Sequence, residues 1–167
     1  MLETLGIVQL KSDAAPREGN EAGRRATLAG KSMLEWIVRR VTDAQRLDGV
    51  IVVAGSSQRD LLLAEEVPSD VPVLTSSANC GLSAAVEAIE KYPCKSVVLV
   101  GSDTPFIDPA LIDRLVITSQ EQEKCDYVSY QLRDGRPTVL SQIGVFAEWC
   151  RSKAIMKADR RAKEPLD

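Results

Sequence analysis

The sequence predicts an α/β fold built on a mostly parallel sheet covered on both faces. Three observations carry that expectation. Strand-like and helix-like segments alternate four times along the chain. The strand candidates are apolar throughout rather than every second residue, as strands buried on both faces must be. Residues that cap helices stand at the points where the helical periodicity begins.

Thr4–Leu10 (TLGIVQL) reads as the first buried strand. From Lys11 to Gly30 the chain is rich in Gly, Ala and charge and has no periodicity, so a long loop is expected there, of the kind that often carries function. Ser32 opens a helix: Glu35 follows three residues on, as in a capping box, and Met33, Leu34, Ile37, Val38 and Val41 keep the helical spacing. Gly49–Gly55 (GVIVVAG) is a second strand, with a helix from Ser57 through Val67 after it, and Val71–Thr75 is a short third strand. Gly81–Tyr92 is helical, with Leu82, Ala85, Val86 and Ile89 on one face; Ser96–Gly101 is a fourth strand. Asp108 and Pro109 supply an N-cap and first-turn proline for the next helix. Asp126–Leu132 alternates like an edge strand, Gly135–Pro137 turns, and Ile143–Phe146 is the candidate partner strand. Phe146–Lys163 reads as a final helix that carries Trp149, with its basic residues on a solvated face. No repeat or low-complexity tract divides the chain, so residues 1–167 are expected to form one domain.

The totals narrow the chemistry. A net charge of −3 gives no bulk attraction to nucleic acid or to an acidic membrane. No run approaches the ~20 apolar residues of a membrane span, and the acidic N-terminal stretch MLETLGIVQL does not resemble a signal peptide. Four scattered cysteines without a paired motif, and no histidine at all, argue against zinc and fit reduced, mostly buried thiols in a cytoplasmic protein. Serine and cysteine hydrolase arrangements also need a histidine. The segment Gly30-Lys31-Ser32 ends like a phosphate-binding loop, but residue 25 is Arg where the first glycine belongs, and some fifteen residues separate it from its strand. Gly30 and Ser32 are therefore expected to shape and cap a helix.

Asp103 is the residue that most needs explaining. The buried run Val97–Gly101 ends in Ser102-Asp103-Thr104-Pro105, which presents a carboxylate where ligands bind in open α/β sheets. Two roles fit. Asp103 can hold Mg²⁺, which takes its other ligands from water and phosphate, or it can close an Asx-turn around Thr104 and Pro105.

Two segments resemble a known family. LAGKSMLEWIVRRV (28–41) is similar to the G-K-P-M-L-E segment of sugar-activating nucleotidyltransferases, and GSDTPFIDPALIDRLV (101–116) to their G-D-x-P-L-I-D-P motif. The likeness points to the CMP-Kdo synthetase, acylneuraminate and spore-coat polysaccharide cytidylyltransferase group. IVQLK (7–11) and CDYVSYQL (125–132) extend it over roughly residues 5–132. The resemblance implies a three-layer α/β/α Rossmann-like fold of the GT-A nucleotidyltransferase type. It also implies a Mg²⁺-dependent enzyme, with Asp103 as metal ligand, in which an oxyanion of a sugar or sugar-acid acceptor attacks the α-phosphorus of an NTP, most often CTP, and expels pyrophosphate. Lys11 matches the arginine of the first motif and Arg17 stands for the loop arginine, so both are the expected catalytic grips on the triphosphate. Gln9, Leu10, Lys11, Asn79, Gly81, Ser83 and Ser102 are the expected nucleotide contacts. Read from the residues alone, Gly81 and Ser83 could equally begin a helix. A homodimer is left open. Asp13, Glu18 and Glu21 in the loop, a later stretch with Asp134 as its one acid, and a C-terminus short of the family's usual length keep a second reading alive: a non-catalytic relative that binds nucleotide as sensor or partner. A GT-A glycosyltransferase ranks last, because Asp103-Thr104-Pro105 lacks the second aspartate of an Asp-x-Asp site.

Overall fold

The computed structural model describes residues 1–10, 27–78, 80–122, 124–140, 145 and 147–163. Strand β1 (Leu2–Gln9) is followed by a two-strand hairpin, β2 (Thr27–Leu28) and β3 (Lys31–Ser32), and then by α1 (Met33–Thr42). The alternation continues with β4 (Gly49–Ala54), α2 (Gln58–Ala64), β5 (Val73–Thr75), α3 (Gly81–Lys91), β6 (Cys94–Gly101) and α4 (Pro109–Gln120). The chain ends with β7 (Tyr127–Val128), a 3-10 turn at Thr138–Leu140, β8 (Glu148–Arg151) and α5 (Ser152–Lys163).

Six strands form one sheet in the order β5-β4-β1-β6-β8-β7. β5, β4, β1 and β6 run parallel, while β8 is antiparallel to both of its neighbours. Successive side chains alternate between two cores. Val8, Val52, Val98 and Trp149 pack with α1 and α4 on one face. Ile7, Ile51, Val97 and Cys150 pack with α3 and α5 on the other. The result is the expected three-layer α/β/α arrangement, and it explains why the middle stretches of β1, β4 and β6 are apolar on both faces, with exposed Glu3 and Lys95 confined to the strand starts.

The helix signals hold where they rest on caps. Ser32 Oγ accepts from Glu35 N at 3.0 Å, Ser57 Oγ from Asp60 N at 3.1 Å, and Asp108 Oδ1 from Ala110 N at 3.0 Å with Pro109 in the first turn. In the first of these boxes the Glu35 carboxylate turns to Lys31 Nζ at 2.6 Å.

Three expectations change. The end of the supposed long loop is the β2–β3 hairpin, whose turn residues Ala29 and Gly30 have φ of 52° and 79°; residues 11–26 lie outside the described residues. The expected edge strand over 126–132 shrinks to Tyr127–Val128. Beyond it Tyr130 O accepts from both the backbone N and the hydroxyl of Thr138, and a Gln131–Pro137 bridge closes a turn with Gly135 at φ 86°. The partner of β7 is β8, while residues 143, 144 and 146 of the proposed partner lie outside the described residues. Glu148–Arg151 is therefore a strand rather than the start of the last helix. Trp149 and Cys150 are neighbours in sequence and both buried, on opposite faces of the sheet, which a strand does by its two-residue period and one face of a helix cannot. The helix begins only at Ser152.

The cysteines are all free thiols; Cys94 and Cys150 are buried, but Cys80 is exposed and Cys125 half-buried. Among the described residues no helix is long and apolar enough to cross a membrane.

Candidate functional site

The sheet order fixes where a ligand should sit. From β1 the chain moves outward to β4 and β5, then returns past β1 to lay β6 on its other side. β1 and β6 thus form the switch point, where the two connections diverge and leave a crevice beyond the carboxyl ends. They run in register to the last residue, Gln9 opposite Gly101. Ser102 N extends this ladder to Gln9 O at 3.0 Å, and on the other side of β1 Leu10 N extends the β1–β4 ladder to Val53 O at 2.9 Å.

Four of the expected contacts meet at this crest. Gln9 lies across it, its Nε2 donating to Gly81 O at 2.7 Å. That bond brings the first residue of α3 to the end of β1, and a Cβ at Gly81 would stand 3.4 Å from Gln9 Oε1. Leu10 and Ser102 complete the set. Lys11, Arg17 and Asn79 lie outside the described residues.

Asp103 is exposed beyond the end of β6. The turn that presents it is closed by its neighbour: Thr104 Oγ1 donates to Gly101 O at 2.6 Å, and Thr104 N reaches the same carbonyl at 3.2 Å. Further on, Ile107 is buried as a plug, its N bonds Thr104 O at 3.1 Å, and its carbonyl accepts from Arg40 Nε at 3.4 Å. Arg40 also faces Asp108 at 3.7 Å. A hydroxyl, a buried isoleucine and a guanidinium from α1 therefore hold the loop between β6 and α4. One exposed carboxylate on a fixed turn suits a hard cation that draws most of its ligands from water and phosphate. It does not suit an all-protein cage, and the described residues contain no cluster of three acid or thiol groups able to form one. Asp134, the only later acid of the expected motif, sits at the Gln131–Pro137 turn, and Arg136 Nε holds its carboxylate at 2.7 Å. That hydrogen bond keeps its pKa below the usual carboxylate value.

Ser83 faces elsewhere. Its Oγ donates to Asp159 Oδ1 on α5 at 2.5 Å, and its N donates to the sulfur of Cys80, the N-cap of α3, at 3.5 Å. The Asp159 pKa is lowered by Lys163 first and by Ser83 second. Sequence reasoning treated the basic residues of α5 as a solvated face and missed Asp159. The helical spacing of Ile155, Met156 and Asp159 carried the only signal, an acid on the buried side.

The sequence matches the MobA-like NTP transferase domain family over residues 24–165. No curated protein gives a significant sequence match. Among solved structures, the fold is similar to a cytidylyltransferase from Leptospira borgpetersenii serovar Hardjo-bovis (TM-score 0.76, 16% identity, covering 99% of this chain and 66% of that one). It is similar to CMP:2-keto-3-deoxy-manno-octonic acid synthetase complexed with CTP (TM-score 0.70, 10% identity, 99% and 79%). It is also similar to Rv0371c of Mycobacterium tuberculosis H37Rv in complex with manganese (TM-score 0.64, 16% identity, 95% and 76%). At such identities these are likenesses of fold. With the family match spanning most of the chain and the crevice formed at β1 and β6, the chain belongs to the MobA-like NTP transferase domain family.

Proposed function

We propose that the protein is a Mg²⁺-dependent cytidylyltransferase that moves CMP from CTP to a sugar or sugar-acid oxygen and releases pyrophosphate. The observation that carries this reading is the placement of Asp103 at the switch point, one strand away from the Gln9–Gly81 contact. The nucleotide lies over the ends of β1 and β6, its base toward Asn79 and Gly81 at the start of α3 and its phosphates toward Ser102 and Asp103. Lys11 and Arg17 grip the triphosphate. Mg²⁺, when bound to Asp103, would neutralise phosphate charge. The remaining work of the chain is positioning, which brings the acceptor oxygen and the α-phosphorus together in line. The fold likenesses to a cytidylyltransferase and to a CTP-bound synthetase support the choice of base, and the manganese-bound relative supports a divalent ion.

The test is a thermal-shift panel with CTP, UTP, GTP and ATP, each with and without Mg²⁺, together with a pyrophosphate-release assay on wild type and Asp103→Asn. CTP with Mg²⁺ at a hundred times its dissociation constant should add about 2.7 kcal/mol of stability. The variant should keep its fold and lose at least about a hundredfold in turnover, as when a charge-stabilising group is removed from the reacting phosphate. Full turnover in Asp103→Asn would overturn the metal assignment. A Mg²⁺-independent shift without turnover would instead identify a nucleotide sensor.

A further inference from the structure

The first turn of α3 is gripped from two sides. On the crevice side Gln9 Nε2 holds Gly81 O at 2.7 Å. On the far side Ser83 Oγ reaches Asp159 Oδ1 at 2.5 Å, and the other oxygen of Asp159 takes Lys163 Nζ at 2.7 Å. Asp159 is only 5% exposed, so its charge is stable there because both oxygens have donors. A cleft of about 580 Å³ opens beside this link, bordered by Ser77, Glu87, Met156 and Arg160. At this end the Ser83–Asp159 bond ties α3 to α5 beside their shared apolar core. Cys80 Sγ lies 3.3 Å from Ser83 Oγ and adds a third member to the link.

We infer that Asp159 is a positioning residue for nucleotide binding: through Ser83 it fixes the 80–83 turn against Gln9 and so sets affinity at the crevice without touching the ligand. The inference rests on the nucleotide reading of that crevice. It also gives Ser83 a different part from the one its sequence position suggests. Its single hydrogen goes to Asp159, which leaves none to donate to a base. The last helix, which bears no expected site residue, becomes the rear support of the site.

Asp159→Ala, Asp159→Asn, Ser83→Ala and the Ser83→Ala/Asp159→Ala double variant test this, with each of the four nucleoside triphosphates and Mg²⁺ titrated calorimetrically and KM and kcat read from pyrophosphate release. Ser83→Ala removes no charge, so it keeps the question answerable if Asp159→Ala folds poorly. Both single alanine variants should weaken nucleotide binding about tenfold, the order of one hydrogen bond, with KM rising and kcat within about twofold. The double variant should be no worse than either single one, since the two residues form a single link. Asp159→Asn, whose amide oxygen still accepts from Ser83, should recover most of the affinity. Unchanged nucleotide affinity in Ser83→Ala, or additive losses in the double variant, would overturn the positioning role while leaving the site reading intact. If wild type itself binds none of the four nucleotides, the site reading falls and this inference falls with it.

Discussion

Cys94 and Cys150 are buried, and burial pushes both thiols up, Cys150 to about 12. Cys80, exposed at the N-cap of α3, is held below the ordinary thiol value by its side-chain and backbone hydrogen-bond contacts with Ser83. A thiol raised in the folded state stabilises fully below its unfolded pKa of about 8.5 and loses that contribution as pH climbs toward its folded value. The fold should therefore weaken in mild alkali, by at most about 1.4 kcal/mol per pH unit for each such thiol. Urea midpoints between about pH 8 and 10, below the point where an unfolded tyrosine titrates, would measure it. Cys150→Ala should flatten the slope, and an unchanged slope would mean that burial at this position leaves the thiol unperturbed. No feature of the sequence marks one thiol as different from another. What separates them is the strand period at 149–150, which the basic helical pattern after it conceals.

Single elements show the same division between what local sequence states and what packing adds. Ser32, Ser57 and Asp108 announce their helices because a cap is a local device, satisfied within three residues. The β2–β3 turn does not announce itself. Its two central residues both adopt positive φ, the two-residue hairpin geometry that favours Asn-Gly, yet the first is Ala29, which carries no such signal. A Cβ at Gly30 would meet nothing within 4 Å, so Gly30→Ala should cost only the backbone term, about 1 kcal/mol. Ala29→Asn should return about 0.5 kcal/mol, because Asn tolerates the left-handed region that Ala resists. Chemical denaturation of the two variants checks both signs. Two losses of similar size would show that the turn is not held in this geometry. Glu148–Arg151 escaped notice for a related reason: as a four-residue strand buried on both faces it has no alternation, and it abuts a long helix.

Over the whole molecule, the parallel sheet was legible because covering both faces forces the strands to be apolar throughout, and the place of Asp103 followed from that topology. The two-sided grip on α3 was not legible, since Ser83 and Asp159 meet across 76 positions that share no local pattern. The same sheet separates two cores, one built on α1 and α4 and the other on α3 and α5, while β1, β4 and β6 contribute alternate residues to both. Neither core can lose its strands without exposing the other. We therefore expect a single cooperative unit. Ile112 lies in the first core and is 0% exposed; Ile89 lies in the second and is 5% exposed. Each Ile→Ala change should cost about 2–5 kcal/mol. In both variants the loss should appear in the same urea transition, whether followed by Trp fluorescence, to which the buried Trp149 of the first core contributes, or by far-ultraviolet circular dichroism. Two separated transitions, with Ile89→Ala shifting only one of them, would mean that the faces of the sheet fold independently and that a crevice built from both is not held by a single cooperative structure.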